Sequence, residues 1–548
     1  MLAISEARAL IGASAASQIG DWMYNAALLG YVFSVTRSAA WVAAATVCRL
    51  LPYVLLSPIG GVIADRLPHR LVLLTGDLLR LMLMAVLAAV VASHGPIAVV
   101  IGLAAVSSAA GSAERPAALA LLPRMVGEAR LGPANALLHT VQDLGVVVGP
   151  ALGAILLAVA PAFVVFLVNA GTFAISALLI SRLRAHRPMA GSLGGALPSL
   201  LSGVRAARGT RFVLALFGVV AMVELTYGAQ TVQLVIYGKI SLGLGSGGYG
   251  VLLAASGVGG LMSAVVNGRL GMSRRVTLAV LSAGALASAT QLVYAGFNEL
   301  AIALIVTVLG GGGLVACEVI AETVLARIVP SETLGRVAGL LHAMSVAAMV
   351  GGALLASIFV ELTSLKTSFV ILGLVSLAVA LSCGLGLRGL DDASRRRTEA
   401  LASRLAIIER LPITVGVPQL VLEQLASASQ LCPLPPGVDV VAQGAPSRAF
   451  YAVVEGRVVV HRDAEVVAHL GPGDSFGERG LLDSSPRNAT VTTEMDTTVL
   501  RIEGHVLLDT LQMAPMLTAA LDHLSPAHSV PLPATDSPLV DDQGWAEA

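Results

Sequence analysis

Charge is scarce in this chain of 548 residues: 12% are Asp, Glu, Lys or Arg, and 34 basic side chains are matched by 34 acidic ones. A neutral balance with no long basic stripe lacks the electrostatic footprint of a nucleic-acid binder, so no nucleic-acid partner is expected. Lysine is scarcer still, occurring only as Lys239 and Lys366. Neither stands in the GxxxxGK[ST] frame that cradles nucleotide phosphates, which excludes ATP hydrolysis on a P-loop. Four cysteines, Cys48, Cys317, Cys383 and Cys432, lie far apart without CxxC spacing. That argues against a zinc site or a disulfide framework. No Ser/His/Asp set or pair of catalytic carboxylates stands in a soluble context, so neither an enzyme nor a metal site is expected.

What the chain has is apolar mass: 56% apolar residues and a mean hydropathy of +0.83, more than a soluble core needs. Stretches of about 20 apolar residues, enough to cross a hydrocarbon core as helix, recur from residue 11 to residue 388. Twelve are expected, starting near residues 11, 40, 71, 96, 134, 162, 212, 248, 276, 299, 335 and 367. The first has no basic leader and is interrupted by Asp21, so it reads as a retained span rather than a signal peptide.

Basic residues near span ends stay on the cytoplasmic side. Here they gather in the even-numbered loops: Arg66 and Arg70 after span 2, Arg124 and Arg130 after span 4, and a run from Arg182 to Arg211 after span 6. Arg269, Arg274 and Arg275 follow span 8, and Arg327 and Arg336 flank the loop after span 10. Both termini are therefore expected in the cytoplasm, with the chain in the cell (inner or plasma) membrane. GGVIADRL at 60–67 and VVNGRLGMSRR at 265–275 occupy matching loops, as do LLPRMVGEARL at 121–131 and IVPSETLGRV at 328–337. This repeat predicts two six-helix halves, about 1–190 and 205–390, related by an axis along the membrane normal.

After Leu390 the composition turns charged and helix-prone, predicting a linker over 391–402. Residues 438–502 alternate short β-branched runs with Gly turns, the pattern of a small antiparallel barrel or jelly roll. Helices are expected at 403–410, 418–429 and 504–524, and a disordered tail at 525–548. The fold class expected is thus an α-helical polytopic membrane protein with twelve transmembrane helices, plus a C-terminal α+β domain with a β jelly roll over 403–524.

GVIADRLPHR, from Gly61 to Arg70, resembles the loop motif between spans 2 and 3 of the major facilitator superfamily, and the resemblance extends over about residues 10–390. It implies a Gly-dependent helix contact at Gly61, Asp65 near a neighbouring helix N-terminus, and Arg66 and Arg70 at the cytoplasmic surface. GVVVGPALG, with Gly145, Gly149, Pro150 and Gly153, looks like the antiporter motif of exporters in that superfamily. Small residues at four-residue spacing also serve generic helix packing, and both readings stay open.

Ionisable residues within spans are costly and face a cavity or a partner. Those present are Asp21, Arg49, Asp77, Arg80, Glu114, Arg115, Asp143, Glu224, Glu318 and Glu322. Asp21 and Arg49 lie deepest, followed by Asp143 and Glu224, while Glu114 and Glu322 hold equivalent positions in the two repeats. Each acid is either a proton carrier or a structural ion-pair member. Gly243, Gly245 and Gly248 spell GxGxxG, but no strand precedes them and a dinucleotide site is excluded. Gly310 to Gly313 suit a hinge or close packing.

FGERGLLDSSPRNATV, from Phe476 to Val491, resembles the phosphate-binding cassette of cyclic-nucleotide-binding domains. The resemblance implies that Glu478 accepts from the ribose 2′-hydroxyl, Arg487 pairs with the cyclic phosphate, Gly480 and Asn488 supply backbone N–H groups, and Gly477 shapes the turn. Arg479 replaces the usual apolar residue, and Asn488 stands where Ala, Ser or Thr helps select the base, so ligand identity stays open, with cyclic AMP ahead of cyclic GMP. The function expected is ion-coupled efflux of small amphipathic or drug-like molecules across the lipid bilayer, regulated by a cyclic nucleotide on the cytoplasmic side. The alternatives are uptake or lipid flipping, a membrane-anchored nucleotide receptor without transport, and a transporter whose C-terminal barrel is purely structural.

Overall fold

The computed structural model describes residues 5–126, 131–184, 211–270, 276–329, 331–387, 403–411, 419–463, 465–482, 485–504 and 506–508. The expected linker at 391–402, the tail at 525–548 and most of the closing helix at 504–524 lie outside the described residues, as does the side chain of Asp65. The chain divides into a helical unit, Met1–Val126 with Ala134–Ser394, and a second unit built mainly from Arg395–Ala548.

The helical unit begins with α1 (Ser5–Thr36), α2 (Ala39–Arg66), α3 (His69–Ala92), α4 (Ile97–Ala110), α5 (Glu114–Val126), α6 (Leu131–Val159) and α7 (Ala162–Ser181). A second set follows: α8 (Arg211–Ile236), α9 (Gly248–Leu270), α10 (Val276–Gly296), α11 (Leu300–Ile328), α12 (Ser331–Leu362) and α13 (Leu365–Gly386). Short polar breaks separate them. Pro68, Pro96 and Pro161 stand just before α3, α4 and α7, where a missing N–H costs nothing. Ser364 caps α13 by accepting from the backbone N–H of Thr367 at 3.1 Å. Among the described residues nine helical stretches are long and apolar enough to cross a membrane, with α4 and α5 forming one of them. Of the other expected spans, α2 contributes a shorter apolar stretch at Ala39–Tyr53, and the remaining two correspond to α1 and α9.

Apolar burial holds the two sets together at one end. A core cluster there draws Leu28, Val32, Ala43, Leu87 and Phe166 from the first set, and Val232, Tyr237, Leu252, Tyr294 and Phe369 from the second. A separate cluster, including Leu216, Val280, Ile320 and Val337, belongs wholly to the second set. Small residues bring backbones into contact. A Cβ on Gly228 of α8 would overlap the carbonyl oxygen of Met349, and one on Gly352 of α12 would overlap that of Leu225. These two helices therefore touch main chain to main chain. Gly311 and Gly313 of α11 likewise abut the backbones at Ser256 and Ala283, and α11 runs through them unbroken, which is close packing rather than a hinge.

In the second unit α14 (Gln419–Ser427) precedes β1 (Ser429–Leu434), β2 (Asp439–Val441), β3 (Ala449–Glu455), β4 (Val458–Arg462), β5 (Glu465–Leu470) and β6 (Ser475–Phe476). Then come α15 (Glu478–Leu482), β7 (Thr490–Thr493) and β8 (Thr497–Glu503). Two antiparallel four-stranded sheets result, in the orders β1-β8-β3-β6 and β2-β7-β4-β5. The β region starts earlier than the expected residue 438. β1 was masked by Pro433, which a strand tolerates only where no ladder N–H is needed, and β1 is an edge strand paired with β8 alone. Phe450, Ala452, Leu500 and Ile502 pack under Leu405, Ile408, Leu422 and Leu425 of the helical segments. Val453, Val458, Phe476 and Val491 form a second apolar layer.

Candidate functional site

The turn from β6 into α15 is built around one glycine and one arginine. Gly477 has φ +91°, a conformation that a side chain would strain, and a Cβ there would overlap Nη1 of Arg487. Arg487 is 7% exposed. Its Nη1 donates to the carbonyl of Gly477 at 2.8 Å and its Nη2 to that of Ala449 at 2.5 Å. Its own main chain is held by Ala445 and Gly444, each at 2.8 Å. A guanidinium has five N–H groups, so donors remain for an anion. Burial pushes the Arg487 guanidinium below the ordinary arginine range, against the opposing influence of Tyr451 and Glu478. The Tyr451 ring lies 5.9 Å from the Arg487 guanidinium carbon and stacks on Phe476 at 5.2 Å.

Glu478 opens α15, and its Oε2 is buried with no hydrogen-bond partner. Such an acceptor is costly until a donor reaches it. A sugar hydroxyl beside Glu478 and a phosphate beside Arg487 would satisfy both groups, so the residues fit a cyclic nucleotide. Gly480 is pressed against Ser447, whose Oγ donates to the carbonyl of Ser485 at 2.9 Å, while the Ser485 N–H donates to the Gly480 carbonyl at 3.0 Å. Asn488 is exposed. The cassette residues are thus gathered around one turn. Ser447, Ala449 and Tyr451 were not singled out from sequence, because β3 is brought to Arg487 by pairing with β6 rather than by local spacing.

Within the helical unit, Asp21 of α1 meets Arg80 of α3 and Glu114 of α5. Arg80 Nη2 bonds both Asp21 oxygens, at 2.6 and 2.5 Å, and Nη1 bonds Glu114 Oε2 at 2.7 Å. Ser17 Oγ donates to the other Glu114 oxygen at 3.3 Å. Between α4 and α5 the helix tightens into a 3₁₀ turn at Gly111–Ala113. A Cβ on Gly111 would lie 3.3 Å from the guanidinium carbon, so a side chain there would crowd Arg80. The ring of Phe173 covers that carbon at 4.2 Å. Asp77, one turn before Arg80, is 2% exposed and its Oδ2 has no hydrogen-bond partner. Two carboxylates, Asp21 and Glu114, therefore share one guanidinium, and Asp77 stands one turn away on α3.

Other expected residues are placed apart from this cluster. Arg49 is half-buried in α2, with its Nε buried and unpartnered, and its carbonyl accepts from Ser108 Oγ. Glu224 is half-buried on α8, one turn from Tyr227. Asp143 is exposed on α6, and Glu322 is exposed on α11, so Glu322 does not reproduce the buried pairing of Glu114. Arg66 is exposed at the end of α2, and Arg70 Nη2 donates to the Ser181 carbonyl at 2.5 Å. The close helix contact expected at Gly61 falls one residue earlier. A Cβ on Gly60 would sit 2.7 Å from the Ser112 carbonyl oxygen, whereas Gly61 faces open space. The helical rotation between adjacent residues, about 100°, accounts for the difference.

The Gly149 and Pro150 segment lies where the two helix sets meet. A Cβ on Gly149 would be 2.7 Å from the Ile19 carbonyl oxygen of α1, and one on Gly250 of α9 would be 2.8 Å from the Pro150 carbonyl oxygen. α6 is therefore in close backbone contact with helices of both sets. A cleft in the second set is lined by Thr226, Tyr227, Gln230, Ser256, Gly310 and Leu314, among others.

The Major Facilitator Superfamily family model matches residues 10–317 and, in an overlapping match, 222–434, and the cyclic nucleotide-binding domain model matches residues 431–513. The multidrug efflux pump Tap of Mycolicibacterium fortuitum is 28% identical over 363 residues, covering 63% of this chain and 87% of that protein. The cAMP-dependent protein kinase regulatory subunit of Dictyostelium discoideum is 37% identical over 94 residues, 16% of this chain and 29% of that protein. An uncharacterized NTE family protein of Mycobacterium bovis is 30% identical over 128 residues, 23% of this chain. The chain spans 21% of the length of that relative.

Proposed function

Because this chain belongs to the Major Facilitator Superfamily and carries a cyclic nucleotide-binding domain, we propose that it exports small amphipathic molecules using a cation gradient, under the control of a cyclic nucleotide. The observation that carries the transport reading is the excess of acid around Arg80. Asp21 and Glu114 bond one guanidinium and Asp77 stands one turn along α3 from it with an unpartnered buried oxygen, and an intramembrane carboxylate excess is a binding place for a coupling cation. Export is supported by the Gly149–Pro150 segment between the two helix sets and by similarity to a protein named as a multidrug efflux pump. On this reading twelve spans cross the cell membrane with both termini in the cytoplasm, because Arg66 and Arg70 mark the cytoplasmic ends of α2 and α3. The transporter domain then occupies 1–390 and the nucleotide-binding domain 403–524, and the chain is not an enzyme.

Regulation is supported by the unpartnered Glu478 Oε2 beside the buried Arg487. Cyclic AMP is placed ahead of cyclic GMP on the similarity to a protein named for cAMP dependence. A nucleotide that binds one transporter state more tightly than the other shifts the equilibrium by that difference in affinity. The test is flux by the full chain in proteoliposomes under an imposed proton or sodium gradient, with and without cyclic AMP or cyclic GMP. Flux that follows neither gradient would sink ion coupling. Flux that ignores both nucleotides, in protein that binds one of them, would reduce the C-terminal domain to a structural module.

A further inference from the structure

The guanidinium of Arg80 is held by more than its two carboxylates. Nη2 bonds both Asp21 oxygens and Nη1 bonds Glu114 Oε2. The guanidinium carbon also lies over the ring of Phe173 on α7, 4.2 Å from its centroid. A Cβ on Gly111 would meet Cζ, Nη1 and Nε at 3.3, 3.4 and 3.5 Å. Near-equal distances to the three atoms put that glycine over the guanidinium plane rather than at its edge, so the group has little room to shift on that side. Phe173 is fully buried and Arg80 nearly so. A cation held against an aromatic face away from water is attracted by the ring quadrupole more strongly than at an exposed site.

A proton or metal ion arriving at Asp21 or Glu114 competes with Arg80 for the same oxygens. Whatever fastens Arg80 in its docked position therefore raises the concentration of cation needed to displace it, because it stabilises only the cation-free arrangement. The ring of Phe173 does this without offering the incoming ion an oxygen. α7 itself is uncharged, so the ring is its contribution to the electrostatics of the site. The other ionisable groups of this neighbourhood are Asp21 and Tyr24 of α1, Arg49 and Tyr53 of α2, Asp77 of α3, and Glu114 and Arg115 of α5. A cation held by Asp77 alone would leave Arg80 where it is, and Phe173 would then have no influence on its binding.

We propose that Phe173 is a positioning residue of the coupling site: its ring keeps Arg80 docked on Asp21 and Glu114, and thereby sets how much coupling cation the protein needs. This rests on the cation-coupling reading above and adds to it the group that tunes the affinity of the site.

The test follows the melting temperature of the full-length protein in detergent as sodium replaces choline at constant ionic strength, and again as the pH is lowered. A cation bound by the folded protein stabilises it, and the midpoint of that stabilisation reports the affinity. Phe173→Leu and Phe173→Met keep apolar bulk without the aromatic face. Both are expected to move the midpoint to about three- to tenfold less cation, meaning lower sodium or higher pH. Phe173→Tyr retains the ring and should keep the wild-type midpoint. Phe166→Leu is the control, since Phe166 is equally buried on the same helix but packs edge-on against Tyr24. It should lower the melting temperature and leave the midpoint alone. A midpoint unmoved by Phe173→Leu and Phe173→Met, moved toward more cation, or moved as far by Phe166→Leu overturns the proposal while cation coupling stands. A wild type stabilised by neither sodium nor protons removes the coupling reading, and the role of Phe173 with it.

Discussion

Glu361, in the last turn of α12, accepts a hydrogen bond at Oε1 from Ser38 Oγ at 2.7 Å and a second from the backbone N–H of Ala40 at 2.9 Å. The carboxylate of the second helix set thereby caps the first turn of α2 in the first set, where its charge also suits the positive end of the helix. This is the end of the molecule at which the shared apolar core joins both sets.

Glu361→Ala is expected to free the amide of Ala40 and weaken the start of α2 by a few tenths to about 1 kcal/mol, the group being largely exposed. Hydrogen exchange over residues 38–42 should quicken while exchange in α3 and α10 stays unchanged. Unaltered exchange at 38–42 would show that the cap contributes nothing in the membrane.

Arg80→Gln would leave Asp21 and Glu114 facing each other without a cation. Removing one partner from a buried pair costs about 3–5 kcal/mol, so the melting temperature of the purified protein should fall by several degrees. Arg80→Lys keeps the charge but cannot reproduce the bidentate contact with Asp21 together with the bond to Glu114. It should recover only part of the loss. A melting temperature equal to wild type in Arg80→Gln would mean that the cluster does not hold α1, α3 and α5 together.

Asp77→Asn removes one of three carboxylates without touching the bonds of Arg80. The protein should fold with normal stability and exchange substrate between equal concentrations, yet lose the ability to accumulate it against a gradient. Uphill transport at the wild-type level would take Asp77 out of the coupling site.

In the C-terminal domain, Gly477→Ala meets two obstacles, a positive φ and the Arg487 guanidinium. About 1–2 kcal/mol of destabilisation is expected, with at least a tenfold loss of cyclic AMP affinity by calorimetry. Arg487→Ala should weaken binding further, since on the proposed reading it removes the charge that would meet the phosphate. Glu478→Gln should fall between wild type and Arg487→Ala. Affinity unchanged in Arg487→Ala would reject the cassette as the binding site.

The spans were legible because hydropathy over twenty residues needs no knowledge of neighbours. The gathering of Gly477, Glu478, Gly480 and Arg487 was legible because they lie within one short run around a single turn. β1 was not, since Pro433 argues against a strand until its edge position is known. Arg80 and Glu114 could be named as ionisable, but their pairing with each other and with Asp21 depends on how α1, α3 and α5 pack. Gly60 was passed over for Gly61 because the sequence does not tell which face of α2 meets Ser112.

The main-chain contact of Gly228 and Gly352 gives α8 and α12 no compressible side chains between them. Such a pair is a strut, and what tilts one helix tilts both. Gly352 stands about 13 Å along α12 from Glu361 at 1.5 Å per residue, while α8 lines the cleft through Thr226, Tyr227 and Gln230. With Gly352 as the fulcrum, a tilt of about 5° would carry Glu361 by about 1 Å, enough to break a hydrogen bond of normal length. A displacement of that size at α8 would therefore be felt at the Ser38 contact, at the far end of the lever.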